Sequence, residues 1–179
     1  MAGALIVRDA SPDDAAAIAA IYAPYVHDTV ITFEIDAPDA AEMRNRIVET
    51  SARFPWLVAE ESGAVCGYAY ATSFRARAAY RWVAETTVYI ADGFHRRGIG
   101  RALYAPLLDR LERQGYQAAI GAIALPNAGS VGLHEAMGFV HQGLYRQVGF
   151  KLDGWHDVGL WQRDFGERPA RPTEPLSPL

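Results

Sequence analysis

Apolar residues along the chain alternate between short runs and helix-spaced stripes, so strands and helices alternate too. Leu5-Ile6-Val7 predicts a first strand. Ser11-Pro12-Asp13-Asp14 predicts a helix start, with a capping serine, proline at the first helical position and acids in the first turn. That helix is expected to run to about Tyr25 or Val26, with Ile18, Ile21 and Tyr22 inward and Pro24 kinking or ending it. Residues 39–53 predict a second helix with Met43, Ile47 and Val48 inward. Residues 56–60 and 65–71 predict two strands around the turn pair Ser62-Gly63. A further strand is expected over 82–90, and a long helix over 98–113, ended by Gly115. Residues 118–124 predict a small-residue strand, 130–137 a helix closed by Gly138, and 139–148 and 155–165 two last strands. Alternation in the middle with hairpins at both ends predicts a mixed α/β sheet, not a uniformly parallel one.

Composition narrows the class. A chain of 179 residues suits one domain with a substantial core. The net charge of −4 gives no general attraction to nucleic acid or anionic lipid. The single cysteine, Cys66, excludes an internal disulfide and a cysteine-based metal site, and its apolar surroundings read as a buried thiol. No apolar run is long enough to span a membrane, and the N-terminus lacks the order of a signal peptide. These features predict a soluble, cytoplasmic protein without metal. The domain is expected to span residues 1–165. Residues 166–179 carry Pro169, Pro172, Pro175 and Pro178 and are expected to be disordered or extended.

Candidate chemistry concentrates after the 82–90 strand. The segment His95-Arg96-Arg97-Gly98-Ile99-Gly100-Arg101 combines glycine, arginine and a helix start. A helix start offers unpaired amides and the positive end of the helix dipole, and glycine lets a ligand approach closely. Together they form a socket for a diphosphate. A dinucleotide fingerprint would need glycine at Leu103, and a nucleoside-triphosphate loop would need Lys-Ser/Thr after Gly100. Upstream, Glu85 is a candidate base, with a solvent-facing strand residue as the alternative. Thr86 and Thr87 follow it. His134 can donate a proton near neutral pH, or be a half-buried helix residue. Arg75 and Arg77 flank Ala76; on an extended chain they point the same way and could clamp an anion, with a solvated loop as the alternative. Phe33 and Glu34 could form a cleft wall, with simple packing and surface positions as the alternative. His156 and Asp157 read as structural.

The turn at His95–Gly100 resembles the Gln/Arg-x-x-Gly-x-Gly/Ala turn of GNAT superfamily N-acetyltransferases, and 127–130 with 134–139 resembles their later cofactor-contacting helix. Residues 80–90, 133–139, 154–159, 54–60 and 75–77 are similar to phosphinothricin and methionine sulfoximine N-acetyltransferases. The resemblance implies a mostly antiparallel sheet whose splayed central strands hold acetyl-CoA, and it implies a homodimer. It implies amides of Arg96, Arg97, Gly98, Ile99, Gly100 and Arg101 on the diphosphate, pantetheine along Val88, Tyr89 and Ile90, and Asn127 on the cofactor arm. It makes Glu85 the base, acting through water, and puts His134 where many members carry a thiolate-protonating tyrosine. Arg75, Ala76, Arg77, Thr86, Thr87 and Phe33 then surround a small amino-acid-like substrate. A protein N-terminus or lysine as acceptor, and a non-catalytic acyl-CoA-binding module, are the alternatives.

Overall fold

The computed structural model describes residues 3–178. Seven strands form one sheet in the order β1-β2-β3-β4-β5-β7-β6. They are β1 (Leu5–Asp9), β2 (Trp56–Glu61), β3 (Ala64–Ser73), β4 (Val83–Ile90), β5 (Ala118–Leu125), β6 (Val140–Lys151) and β7 (Gly154–Asp164). Every neighbouring pair is antiparallel except β4 and β5. The fold is therefore a mixed, mostly antiparallel α/β sheet.

Helices cover both faces: α1 (Ala15–Asp28), α2 (Ala40–Ser51), α3 (Ile99–Arg113) and α4 (Ala128–Ala136). One core lies under α3 and contains Leu103, Leu107, Leu108 and Leu111 with Ala69, Ala84 and Ala119 of the sheet. The other lies under α1 and α2, where Ile18, Val26 and Ile47 meet Val58, Tyr68 and Tyr89. Small residues on the α3 side let that helix approach the strands closely.

Caps explain most helix ends. Ser11 and Asp14 form a capping box around a short 3₁₀ turn, and α1 follows it. Asp39 caps α2 by accepting from the amide of Glu42. Pro24 does not end α1, which runs through it to Asp28. Tertiary contacts hold the turn beyond the proline. Val26 is buried, and the Tyr25 hydroxyl donates to the carbonyl of Ile90 at 2.7 Å. Among the described residues, the segment after Phe165 forms no helix or strand, yet it is tethered. Trp82 Nε1 donates to Thr173 O, Arg81 pairs with Glu174, and Leu176 exchanges two backbone and side-chain bonds with Gln114. Among the described residues, no helix is long and apolar enough to cross a membrane.

Candidate active site

The parallel pair β4–β5 opens the cleft. It is hydrogen-bonded only over Val83↔Ala118, Ala84↔Ala119 and Glu85↔Ile120. Past Glu85 the two strands diverge, β4 continuing along β3 and β5 along β7. Residues 86–90 thus present one backbone edge that no strand takes. The gap is a cleft of about 280 Å³ lined by Glu85, Thr86, Thr87, Val88 and Tyr89 on one side. Ala122, Ile123 and Ala124 of β5, Asn127, Ser130 and His134 around α4, and Phe33 line the rest.

Glu85 stands at the apex, in the last hydrogen-bonded pair. Among the described residues its carboxylate has no hydrogen-bond or ion-pair partner. Burial alone pushes its pKa above the usual carboxylate range. An unpaired, desolvated carboxylate is poised to take a proton from an ammonium.

At the far end of β4 the chain turns into α3. Gly98 is the N-cap, in the left-handed region at φ 80°, and no side chain caps the helix. Among the described residues the amides of Ile99, Gly100 and Arg101 meet no backbone acceptor, and the first bond is Ala102 N to Gly98 O. That leaves three donors on the positive end of a fifteen-residue helix. A Cβ on Gly98 would meet nothing within 4 Å, so the approach is open. The turn can hold a diphosphate, and the free edge of β4 can pair with an amide-bearing arm. Both features fit coenzyme A. No group of three or more metal-ligating side chains occurs among the described residues.

The side chains of the turn are more committed than its backbone. Arg97 is paired with Glu61 at 2.7 Å and stacks over Phe94, while Arg96 adopts φ 59°. His95 Nε2 lies 2.8 Å from the Tyr25 hydroxyl, so α1 braces the turn. Val88 and Ile90 pack into the α3 core, and Tyr89 packs into the α1 core against Tyr22 and Tyr25. Asn127 caps α4 by accepting from Ser130 N at 3.1 Å.

His134 is only 3% exposed. Its Nδ1 lies 2.8 Å from the carbonyl of Ser130, and its Nε2 lies 3.1 Å from the Tyr104 hydroxyl. A carbonyl only accepts, so Nδ1 carries the proton. Burial lowers the pKa of the ring and favours its neutral form. A neutral ring with Nδ1–H has a lone pair at Nε2. It presents no N–H toward Tyr104, contrary to the simple expectation of a direct acid. Gly121, the first β5 residue past the last ladder pair, makes room for this ring.

The arginine pair does not reach the cleft lining. β3 ends at Ser73, so the two-residue alternation no longer applies at Arg75 and Arg77. Arg75 lies over the rings of Phe74 and Tyr80 and donates to the Tyr145 hydroxyl at 3.1 Å. Arg77 is the N-cap of a 3₁₀ turn, and exposed Ala76 lies between them. Neither arginine has a carboxylate partner among the described residues. Both follow the stretch of β3 that pairs beside Glu85, with Thr72↔Glu85 in register.

Phe33 does line the cleft, and its support was invisible in the sequence. The ring occupies the space a Cβ on Gly149 would need. Lys151 Nζ donates to the carbonyl of Thr32 at 2.7 Å. Tyr22 and Arg46 hold Glu34, with Arg46 bidentate at 2.7 and 3.0 Å. His156 and Asp157 brace the β6–β7 hairpin: His156 meets Lys151 O, and Asp157 accepts from Gln147 N.

Residues 7–160 match the acetyltransferase (GNAT) domain family. The chain is 41% identical over 174 residues to phosphinothricin N-acetyltransferase of Streptomyces viridochromogenes, covering 97% of this chain and 95% of that one. It is 32% identical over 170 residues to L-methionine sulfoximine/L-methionine sulfone acetyltransferase of Salmonella typhimurium, covering 93% and 98%. The crystal structure of a GNAT superfamily phosphinothricin acetyltransferase from Sinorhizobium meliloti, in complex with AcCoA, aligns with a TM-score of 0.91 at 39% identity, covering 97% and 96%. With the divided sheet, the open turn before α3 and this likeness along nearly the whole chain, the protein belongs to the GNAT family of acetyltransferases.

Proposed function

We propose that the protein moves the acetyl group of acetyl-CoA to the α-amine of a small amino-acid analogue: phosphinothricin, methionine sulfoximine or methionine sulfone. The observation that carries this reading is Glu85, half-buried, without a hydrogen-bond or ion-pair partner among the described residues, and placed where β4 and β5 part. The carboxylate takes the ammonium proton through a water. The free amine attacks the thioester carbonyl carbon in a ternary complex, with no acyl-enzyme step. The backbone amides of residues 96–101 hold the diphosphate, Val88 to Ile90 align the arm and Asn127 contacts it. Thr86, Thr87 and Phe33 wall the acceptor.

Arg75, Ala76 and Arg77 form the outer part of the acceptor site, where two unneutralised guanidinium groups attract the substrate's anionic end. Enclosure by Phe33 and its loop favours a small acceptor over a protein terminus. The enzyme works in the cytoplasm as a homodimer. Val148 and Phe150 on edge strand β6, with Trp155 on β7, are more than half exposed, and a second copy can cover them about a two-fold axis.

The test is mass spectrometry of candidate amines incubated with acetyl-CoA. Acetylated sulfoximine, and its loss in Glu85→Gln with coenzyme A binding intact, are the expected results. Full turnover in Glu85→Gln refutes the base assignment, and acetylation of peptides alone refutes the substrate class.

A further inference from the structure

Phe33 lines the cleft, and what stands behind its ring decides how far the cleft extends. Behind it is Gly149. A Cβ there would fall 2.2, 2.3 and 2.6 Å from Cε2, Cζ and Cδ2 of the ring. Gly149 pairs with His156 in the β6–β7 ladder, outside the left-handed region, where any residue fits the backbone. Space, not conformation, calls for glycine.

The placement follows from β6. Three of its residues, Arg146 to Val148, oppose the single β7 residue Asp157, a bulge held by the Gln147 amide donating to Asp157 at 2.8 Å. From there the strand alternates: Val148 and Phe150 are exposed, Gly149 and Lys151 buried. The two inward positions serve one loop. Lys151 Nζ holds the Thr32 carbonyl at 2.7 Å, and Gly149 seats the ring of the next residue. Tyr22 meets Thr32 Oγ1 at 2.7 Å, and Arg46 grips Glu34. The His156 ring stands beside that of Phe33, 6.5 Å between centroids. With the backbone pinned on either side of Phe33, a ring displaced from Gly149 moves toward the cleft.

We propose that Gly149 is a positioning residue of the acceptor site: by leaving room for the Phe33 ring to lie back against β6, it sets the longest side chain that an amino-acid acceptor can carry. The inference rests on the small-acceptor reading above. Carbon contacts settle at about 3.5 Å, so a methyl group at position 149 drives the ring roughly 1.3 Å forward. That displacement is comparable to one methylene of depth. One methylene of misfit in an apolar pocket changes kcat/KM by about 10–200-fold. The diphosphate turn and the free edge of β4 lie on other elements, so the effect falls on the acceptor and grows with its length.

The experiment is a length series of acceptors with one head group: S-methylcysteine sulfone, methionine sulfone and ethionine sulfone, each with saturating acetyl-CoA. Gly149→Ala is expected to lose more kcat/KM at each step, shifting the preference between neighbouring members by about 10-fold toward the shorter. The dissociation constant of coenzyme A in calorimetry should not change. Adding Phe33→Ala removes the obstacle, so the double variant should show the length preference of Phe33→Ala alone. An equal loss at every length, as a general weakening of the fold would give, overturns the assignment. So does an unchanged preference, or a shift that survives Phe33→Ala. Should Gly149→Ala fail to fold, Phe33→Leu decides from the other side. A smaller side chain on the same seat is expected to shift the preference about 10-fold toward ethionine sulfone, and an unchanged preference overturns the proposal. A wild type that acetylates no amino-acid analogue removes the proposed function itself, an outcome distinct from an active wild type whose length preference ignores residue 149.

Discussion

Gly121→Ala places a methyl group where the His134 ring lies. The added carbon falls 2.5 Å from both Cδ2 and Nε2 of that ring. Carbon contacts settle at about 3.5 Å, so the ring must retreat by roughly 1 Å. It is held on both edges, by Ser130 O at 2.8 Å and Tyr104 at 3.1 Å. A retreat of that size breaks at least one of these bonds. Leaving a buried polar atom unpaired costs about 1–3 kcal/mol. Overpacking a tight site costs a further 1–3 kcal/mol or so. Partial relaxation brings the expected loss to about 2–4 kcal/mol. Urea unfolding measures it as a lower midpoint at constant slope. Coenzyme A affinity is expected to hold, since the Gly98 turn lies on another element. Adding His134→Ala removes the obstacle, so the double variant should lose less than the sum, with a coupling of about 1–2 kcal/mol. Additive losses, or a Gly121→Ala protein within about 0.5 kcal/mol of wild type, refute the seat described for His134.

Other expectations come from the same site. Burial raises the Glu85 pKa, so the folded protein binds that proton more tightly than the unfolded chain. The resulting stability is full below the unfolded pKa of about 4.3 and is lost as pH rises through the folded value. Glu85→Gln should therefore stabilise the fold at pH 7 and not at pH 4, by about 1.4 kcal/mol for each tenfold gain in the carboxylate's proton affinity on folding, in thermal melts at the two pH values. An unchanged melting temperature at pH 7 would contradict the burial argument. Lys151→Met frees the carbonyl of Thr32 and loosens the Phe33 wall; steady-state kinetics should show a several-fold higher KM for the amine, about 1 kcal/mol, with acetyl-CoA unaffected. Arg75→Ala should also raise the amine KM, by about 2–10-fold for an exposed charge, and equal values would remove the anion clamp.

Local signals carried most of the framework. Ser11 caps its helical turn as the serine before Pro12 predicts, while the caps at Asp39 and Asn127 emerge only from the structure. The long helix expected from Gly98 begins one residue later, at Ile99, with Gly98 as its left-handed N-cap. The position of Glu85 beside the cleft was legible because the strand, loop and helix around it form one continuous signal. Failures came where long-range contacts overrule local preference. Pro24 lacks a helical amide, yet α1 continues because Tyr25 reaches Ile90, sixty-five residues away. Alternation placed Arg75 and Arg77 side by side, but it lapsed once the strand ended at Ser73. Tyr104 reads as one more apolar position of a core helix, and only the fold brings its hydroxyl to His134. Lys151 and Thr32 are 119 residues apart, and nothing local joins them. The proline spacing of the tail announces an extended chain but not its tethers at Arg81, Trp82 and Gln114.

The diphosphate turn and its helix rest on one core, while the loop bearing Phe33 is fastened by Tyr22, Arg46 and Lys151 on the other side of the molecule. Donor and acceptor chambers meet at α1, where Tyr22 holds the acceptor loop and Tyr25 braces the turn through His95. Evolution or design can recut the acceptor chamber around a new amine by editing a handful of residues near 32–34 and 149–151, leaving the acyl-donor half to work as before.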